Sequence, residues 1–211
     1  MHSFPARFIT FEGIDSSGKS TQCTRTRAWL EKHDIPHLFV REPGGTAVSE
    51  RVRDILLDRE HHALRPVAEL LLFSAARAQL IGEVIRPALA RGTSIIADRF
   101  LDSTTAYQGH GRGIDLSSIA EVHRLATGGL LPDITFLLDI DVAESRRRRA
   151  AQGRDDDRME AADEEFFARV ATGYRSMAAA EPGRITLFDG RDNPDAIFDR
   201  IERILRHTYF E

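Results

Sequence analysis

Short apolar runs alternate with longer stretches of helical periodicity along most of the chain. The run ITFLLDI at 134–140 is the clearest strand, and Val48, Val52, Ile55 and Leu56 recur at helical spacing. Predicted strands cover 8–12, 37–40, 94–97, 134–140 and 185–188, and predicted helices cover 19–33, 48–57, 66–91, 116–126, 142–180 and 194–206. We expect a kink at Pro87 and a break near Gly153. Because strands that alternate with helices pair in parallel, the pattern predicts an α/β fold, a three-layer, doubly wound parallel sheet of five strands in one domain over 1–211.

One segment, residues 146–160, departs from this pattern because it has few apolar anchors. It contains four consecutive arginines, then a glycine and three aspartates. We predict a mobile lid segment here, within the single domain.

Composition narrows the class of protein. Of the 211 residues, 42% are hydrophobic and 29% charged, which excludes an intrinsically disordered chain. Cys23 is the only cysteine, so a disulfide scaffold is excluded. The net charge of -4 argues against a nucleic-acid partner. The first seven residues lack a signal-peptide core, and the apolar runs fall short of the roughly 20 residues that span a bilayer, so we expect a cytoplasmic protein without a membrane partner.

A phosphate-binding loop follows the first predicted strand. Residues 13–20 read GIDSSGKS, which matches G-x-x-x-x-G-K-[ST] and opens a predicted helix. Backbone amides and the positive end of the helix dipole attract phosphate there. Lys19, one of only two lysines among 29 basic residues, can reach the outer phosphates, and Ser20 can hold Mg²⁺. The predicted ATP-binding residues are Gly13, Ile14, Asp15, Ser16, Ser17, Gly18, Lys19, Ser20 and Thr21.

Other features limit what the loop can do. The single asparagine, Asn193, precedes Pro194, so the N-K-x-D motif of GTP-binding switches is absent from the sequence. The third strand ends in Asp98, Arg99 and Phe100. An arginine beside the reacting phosphates suits a phosphorylated acceptor better than water.

Several further motifs resemble the thymidylate kinase family. They are FEG at 11–13, KSTQ at 19–22, REPGGT at 41–46, LFSAARAQ at 72–79, DRF at 98–100, STTAYQG at 103–109 and PDITFLLD at 132–139. The resemblance implies a phosphate-loop (P-loop) kinase fold with a helical lid. It also implies transfer of the γ-phosphoryl group of ATP to dTMP with Mg²⁺, giving dTDP and ADP. Members of the family are usually homodimers.

The resemblance and the residue types together predict an acceptor site. Arg41 and Arg99 follow strands, where a guanidinium can grip the dTMP phosphate with two parallel hydrogen bonds. Phe73 and Arg77 are four residues apart and share a helix face. In the family this pair stacks on thymine and donates to its O4, although core packing explains Phe73 equally well.

The remaining roles rest on the resemblance. Tyr107 is expected near the sugar 2′ carbon, and Ser103, Thr104 and Gln108 within reach of the base or sugar. Asp15 is expected near the acceptor sugar and phosphate, and Asp98 near Mg²⁺. Glu12 is equally well read as a structural carboxylate. Thr105 stands where many members carry a longer polar residue, which leaves its role open.

A catalytic cation is still needed, because positions 15–17 of the loop are not basic here, unlike in some family members. The lid segment is the expected source, and we favour Arg149 and Arg154, with Arg158 paired to Asp155 or Glu160. The predicted catalytic set is Lys19, Arg99, Arg149, Arg154 and Asp15.

Two alternatives remain open from the sequence. A deoxynucleoside kinase would accept an unphosphorylated sugar and would not need both Arg41 and Arg99. A non-catalytic ATP-binding regulatory module would leave the lid arginines unexplained. Separately, Ala75, Ala78 and Gly82 form a small-residue stripe that could face either a second subunit or another helix of the same chain.

Overall fold

Five strands form one parallel sheet in the computed structural model, which describes residues 5–152 and 157–210. The strand order is β2-β3-β1-β4-β5. The strands are β1 (Phe8–Glu12), β2 (His37–Arg41), β3 (Ser94–Asp98), β4 (Ile134–Asp139) and β5 (Ile185–Asp189). All five were predicted to within two residues at each end.

Helices connect the strands. They are α1 (Lys19–Lys32), α2 (Ala47–Leu57), α3 (Pro66–Leu80), α4 (Arg86–Ala90), α5 (Leu101–Thr104), α6 (Leu116–Thr127), α7 (Val142–Gln152), α8 (Glu164–Ala180) and α9 (Pro194–Tyr209). A short 3₁₀ turn covers Arg59–His61, and π-helical turns cover Ile81–Ile85 and Thr105–Gly111. Within the described residues no helix has the length and apolar character needed to cross a bilayer.

Alternate side chains of a strand pack on opposite faces of the sheet. On β1, Ile9 and Phe11 pack in an apolar cluster with Leu30 of α1 and Leu205 of α9. Phe8, one residue before Ile9, packs on the opposite side in a cluster with the π turn before α4. This alternation is the period of two that places successive side chains on opposite faces. Helices therefore cover both faces, which confirms the predicted doubly wound α/β architecture.

The predicted long helix over 66–91 is nearly continuous but changes its winding. A π turn at Ile81–Ile85 separates α3 from α4, and Pro87 lies in the first turn of α4. Since proline has no N–H to donate to the preceding turn, the wider turn lies directly before it.

One helical region differs from the prediction, and a predicted break is confirmed. The segment of α5 and its π turn, 101–111, was not predicted as helical. It packs closely against α8 and α6, since a Cβ at Gly111 would lie 2.6 Å from the Phe166 ring and one at Gly109 would lie 2.7 Å from the Leu116 side chain. The break predicted near Gly153 in the helix over 142–180 is confirmed, because α7 ends at Gln152 and α8 begins at Glu164. Gly153 itself lies outside the described residues. The second helix begins at an Asp163 cap that accepts a 2.7 Å hydrogen bond from the Phe166 amide.

Candidate active site

A cavity of about 950 Å³ opens at the carboxyl ends of the strands. Ligands of open α/β sheets bind at this edge. Residues 15–20 of the phosphate loop line this cavity. Most of the predicted site residues line it, namely Asp15, Ser16, Ser17, Gly18, Lys19, Ser20, Thr21, Arg41, Phe73, Arg77, Asp98, Arg99, Ser103, Thr104, Tyr107 and Gln108.

The phosphate loop takes a conformation that only glycine tolerates at its two ends. Gly13 has φ +134°, and a Cβ there would overlap the Leu138 carbonyl oxygen. Gly18 has φ +104° and precedes α1, and its lack of a side chain leaves no side-chain cap on that helix. The loop amides at the start of α1 are therefore open to an anion.

The side chain of Lys19 is hydrogen-bonded to the backbone of this loop. Its ammonium donates to the carbonyl oxygens of Gly13 at 3.0 Å and Ile14 at 2.9 Å. Burial lowers the pKa of Lys19, and the charge of Arg99 lowers it further, while Asp15 opposes both effects. Lys19 is thus a buried cation at the start of α1, in contact with the loop.

Arg99 lies beside the same loop and is fixed from several directions. Its backbone has φ +71°, the left-handed region that a non-glycine residue rarely occupies. Its guanidinium donates to the Gly13 carbonyl at 3.0 Å and to Asp15 at 2.6 Å. It also donates to the hydroxyls of Ser103, Tyr107 and Tyr174 at 3.1 to 3.3 Å.

Glu12 organises the support beneath Arg99. Its carboxylate accepts hydrogen bonds from the Phe100 amide at 2.7 Å, the Ser103 hydroxyl at 2.6 Å and the Tyr174 hydroxyl at 2.7 Å. Burial raises the pKa of Glu12, and the nearby charge of Asp102 adds to the increase. These contacts favour the structural interpretation of this carboxylate.

The other end of the cavity carries the residues expected to read a base. Arg77 is 1% exposed and donates to Glu42 at 2.7 Å, to the Phe100 carbonyl at 3.1 Å and to Thr104 at 3.0 Å. Phe73 is partly buried. It lines the cavity and also packs against an apolar cluster, so its position agrees both with stacking on a base and with core packing. Gln108 donates to Glu69 at 2.9 Å.

A comparison with known families agrees with this arrangement. The family model described as "Thymidylate kinase" matches residues 11–201. The chain belongs to the thymidylate kinase family. The membership confirms the family, the nucleoside monophosphate kinase class and the phosphorylation of dTMP that were predicted from the sequence.

Curated relatives and a solved structure extend the match over almost the whole chain. The thymidylate kinase of Chlorobium chlorochromatii is 47% identical over 203 residues, which cover 92% of this chain and 91% of that protein. The thymidylate kinase of a Roseiflexus species is 45% identical over 209 residues, covering 94% and 92%. The crystal structure of the thymidylate kinase from Ehrlichia chaffeensis has a TM-score of 0.76 and 34% identity, covering 95% and 98%.

The lid segment of this thymidylate kinase family member differs in detail from the prediction. Arg147 and Arg148 line the cavity, and Arg148 donates to the Ser16 carbonyl at 3.4 Å and the Gly190 carbonyl at 2.9 Å. Arg149 instead donates to the Glu160 carbonyl at 3.2 Å and is not among the described residues that line the cavity. Arg154 and Asp155 lie outside the described residues, so the role of Arg154 stays a prediction.

Arg158 has a partner that the sequence did not reveal. Its guanidinium contacts the buried carboxylate of Glu69 on α3 at 2.7 Å and donates to the Leu56 carbonyl at 2.7 Å. The structure therefore ties the end of the lid segment to α2 and α3. The sequence predicts Asp155 or Glu160 as the partner, and Asp155 lies outside the described residues.

Two parts of the cavity were missed from the sequence. Arg53 on α2 lines the cavity near Arg41 and donates to the Pro43 carbonyl at 2.9 Å. Its position three residues before the apolar Leu56 was the available signal, since that spacing puts Arg53 on the same helix face as Leu56, which is buried. The segment after β5 also lines the cavity, with Gly190, Arg191, Asp192, Asn193 and Pro194.

Proposed function

We propose that this chain transfers the γ-phosphoryl group of ATP to dTMP, with Mg²⁺, in the cavity described above. One observation carries the proposal. Lys19 and Arg99 both donate to the carbonyl oxygen of Gly13, each at 3.0 Å. The cation of the phosphate loop and the cation at the end of β3 therefore meet at one atom, where two phosphate groups could be brought in line.

ATP belongs on the side formed by the loop and the segment after β5. Its phosphates would lie on the amides at the start of α1, with Lys19 beside the outer ones. Its nucleoside would extend toward 190–194, which lines the same cavity. Arg148 bridges the two by its bonds to the Ser16 and Gly190 carbonyls.

dTMP belongs on the other side. Its phosphate would reach Arg41, Arg53 and Arg99, and its base would reach Phe73 and Arg77. Arg41 is held by Glu50 at 2.9 Å, and Arg53 by the Pro43 carbonyl, so both guanidinium groups are placed before the substrate arrives. Three arginines at the acceptor site favour a phosphorylated acceptor over an unphosphorylated nucleoside.

The described residues fit Mg²⁺. The Ser20 hydroxyl donates to the Asp98 carboxylate at 3.2 Å, which joins two oxygen donors at the edge of the loop. No group of three or more His, Cys, Asp or Glu side chains among the described residues is arranged to hold a metal. Mg²⁺ suits such a sparse site because it keeps several waters and phosphate oxygens as ligands. It would neutralise phosphate charge, held by Ser20 and Asp98.

The lid segment completes the donor side in our proposal. Arg146 pairs with Glu164 at 2.7 Å, and both Arg147 and Arg148 pair with Glu144. Since Arg147 and Arg148 line the cavity, closure of this segment over ATP would add positive charge and exclude water.

We also propose a homodimer. Helix α3 exposes Val67 at 58% and Leu71 at 54%, and the exposed stripe of Ala75, Ala78 and Gly82 follows on the same helix and the π turn after it. An apolar stripe with small residues allows close approach of another subunit. Light scattering after gel filtration tests this: Leu71→Glu should give a monomer, and Leu187→Glu at the far edge of the sheet should not. A monomeric wild type would contradict the proposal.

A substrate panel tests the reaction itself. Release of ADP is measured with dTMP, thymidine, dUMP, dCMP and AMP as acceptors. We expect dTMP to give the highest kcat/KM. A higher value for thymidine, or ATP binding with no transfer to any acceptor, would overturn the proposed function.

A further inference from the structure

A buried ion pair lies at the base end of the cavity. Arg77 donates from Nε to Oε2 of Glu42 at 2.7 Å, and the two side chains are 1% and 5% exposed. Both residues line the cavity. Glu42 lies within the REPGGT motif at 41–46, and no role for its side chain follows from the sequence.

The pair is incomplete on both sides. Arg77 Nη2 donates to the Phe100 carbonyl and to Thr104, but Nη1 is buried with no hydrogen-bond partner among the described residues. Glu42 Oε1 is likewise buried and unpartnered there. Native proteins rarely leave a buried donor unpaired. The free N–H groups of Nη1 are therefore available to a carbonyl oxygen of a bound base.

Glu42 is itself fixed by the sheet. It follows Arg41, the last residue of β2, and its amide donates to the carbonyl of Asp98 at the end of β3 at 3.1 Å. The backbone that carries this carboxylate is thus anchored at the strand ends that also carry Arg41 and Arg99. Arg77, in contrast, comes from α3, a separate layer.

We propose that Glu42 is a positioning residue for base recognition, which holds the guanidinium of Arg77 by its Nε edge and leaves Nη1 turned to the carbonyl of the pyrimidine. This inference rests on the proposed function, because it assumes that a thymine base occupies this end of the cavity. Glu42 does not touch the substrate in this account. It acts through Arg77.

The charges around Glu42 support a functional reason for the pair. Burial raises the pKa of Glu42 to about 7, with Arg77 opposing the increase and Glu12 of β1 adding to it. A carboxylate at this position is costly to bury, and a buried ion pair is often replaceable by apolar residues. An apolar pair could not orient a guanidinium group toward a base, and this function would explain why the ion pair of Glu42 and Arg77 is present.

The test compares Glu42→Gln with the wild type at about pH 8, where the carboxylate is ionised. Glutamine keeps an oxygen for Nε but removes the charge that holds it. We expect KM for dTMP to rise about tenfold and the preference for dTMP over dCMP in kcat/KM to fall about tenfold. KM for ATP should not change. Glu42→Asp, which keeps the charge, should recover part of the preference.

Two further variants separate positioning from simple structural support. Glu202→Gln removes a carboxylate from a surface pair with Arg206, and it should leave KM and the preference unchanged. In an Arg77→Gln background, adding Glu42→Gln should change the preference by less than about twofold, because the two residues act as a unit. If Arg77→Gln does not fold, the comparison of Glu42→Asp with Glu42→Gln decides.

The outcomes distinguish the two proposals. A wild type that does not phosphorylate dTMP overturns the proposed function. A wild type that does so, with a Glu42→Gln variant of unchanged KM and preference, overturns this inference alone. An equal loss for dTMP, dCMP and ATP would also overturn it, since that result shows general structural support.

Discussion

The guanidinium of Arg99 and the carboxylate of Asp15 lie 2.6 Å apart, so the acid inside the phosphate loop and the cation at the end of β3 neutralise each other. Burial alone would raise the pKa of Asp15, but Arg99 and Lys19 outweigh it and hold that pKa below its usual value. Asp15 therefore stays ionised at neutral pH. Its contact with Arg99 fixes the orientation of that guanidinium.

Replacing Arg99 by lysine keeps the positive charge but removes the planar guanidinium with its paired N–H donors. Because lysine cannot donate two parallel bonds to a phosphate, we expect kcat/KM for dTMP to fall by about tenfold to a hundredfold. KM for ATP should change much less. Steady-state kinetics with each substrate varied in turn gives both values. Arg91→Lys, at an exposed turn after α4, is the matched control, and an equal loss in both variants would refute the assignment.

The chain offers a direct control for Lys19 because it has only two lysines, Lys19 and Lys32. Lys19→Ala removes the buried cation beside the outer phosphates. We expect kcat to fall by about three orders of magnitude, because stabilisation of the moving phosphoryl group is lost. Lys32→Ala, at the exposed end of α1, should keep wild-type kcat. A Lys19→Ala enzyme with near-normal kcat would be incompatible with this role.

Gly13 and Gly92 both have positive φ, but their surroundings differ. A Cβ on Gly13 would overlap the Leu138 carbonyl and approach Ser17 to 2.9 Å, whereas one on Gly92 would meet nothing within 4 Å. We expect Gly13→Ala to abolish ATP binding in calorimetric titration. Gly92→Ala should lower stability by about 1 kcal/mol and leave ATP binding intact. Equal ATP affinity in both variants would show that the loop tolerates a side chain at 13.

His123 gives a pH-dependent prediction. Burial and the charge of Arg77 lower the pKa of His123 to about 3, and its Nε2 lies 3.0 Å from the Thr105 hydroxyl. Since the unfolded chain takes up the proton first, this histidine stabilises the fold above about pH 6.5 and the contribution is lost as the pH falls. Between pH 7 and pH 5 the loss is about 2 kcal/mol.

Urea denaturation at several pH values measures this effect. The difference in unfolding free energy between the wild type and His123→Gln should shrink by about that amount from pH 7 to pH 5. A difference that stays constant over this range would show that the His123 ring takes up its proton equally in both states.

Local sequence signals were enough for the sheet and the loop. The strand ITFLLDI and the GIDSSGKS loop carry their own information, since burial and glycine spacing act over a few residues. The helical segment 101–111 does not. Its threonines and its glycines at 109 and 111 are poor helix formers, and packing against Phe166 and Leu116 overrides that preference.

Contacts between distant residues explain the rest of what was missed. Two ion pairs join residues that are far apart in the sequence, Arg158 with Glu69 and Arg77 with Glu42. No spacing along the chain predicts either pair. The contact of Arg148 with the Gly190 carbonyl could not be predicted either. Four consecutive arginines on a helix cannot be told apart from the sequence. Only the packing of α7 beside the loop selects one of them.

The meeting of two phosphates beside Lys19 and Arg99 is the central claim, and a crystal structure with dTMP, Mg²⁺ and a non-hydrolysable ATP analogue tests it most directly. We predict the dTMP phosphate on Arg99 and the terminal phosphate of the analogue on Lys19, with the base of dTMP at Arg77. A monophosphate bound away from the phosphate loop, with the analogue in place, would contradict the account.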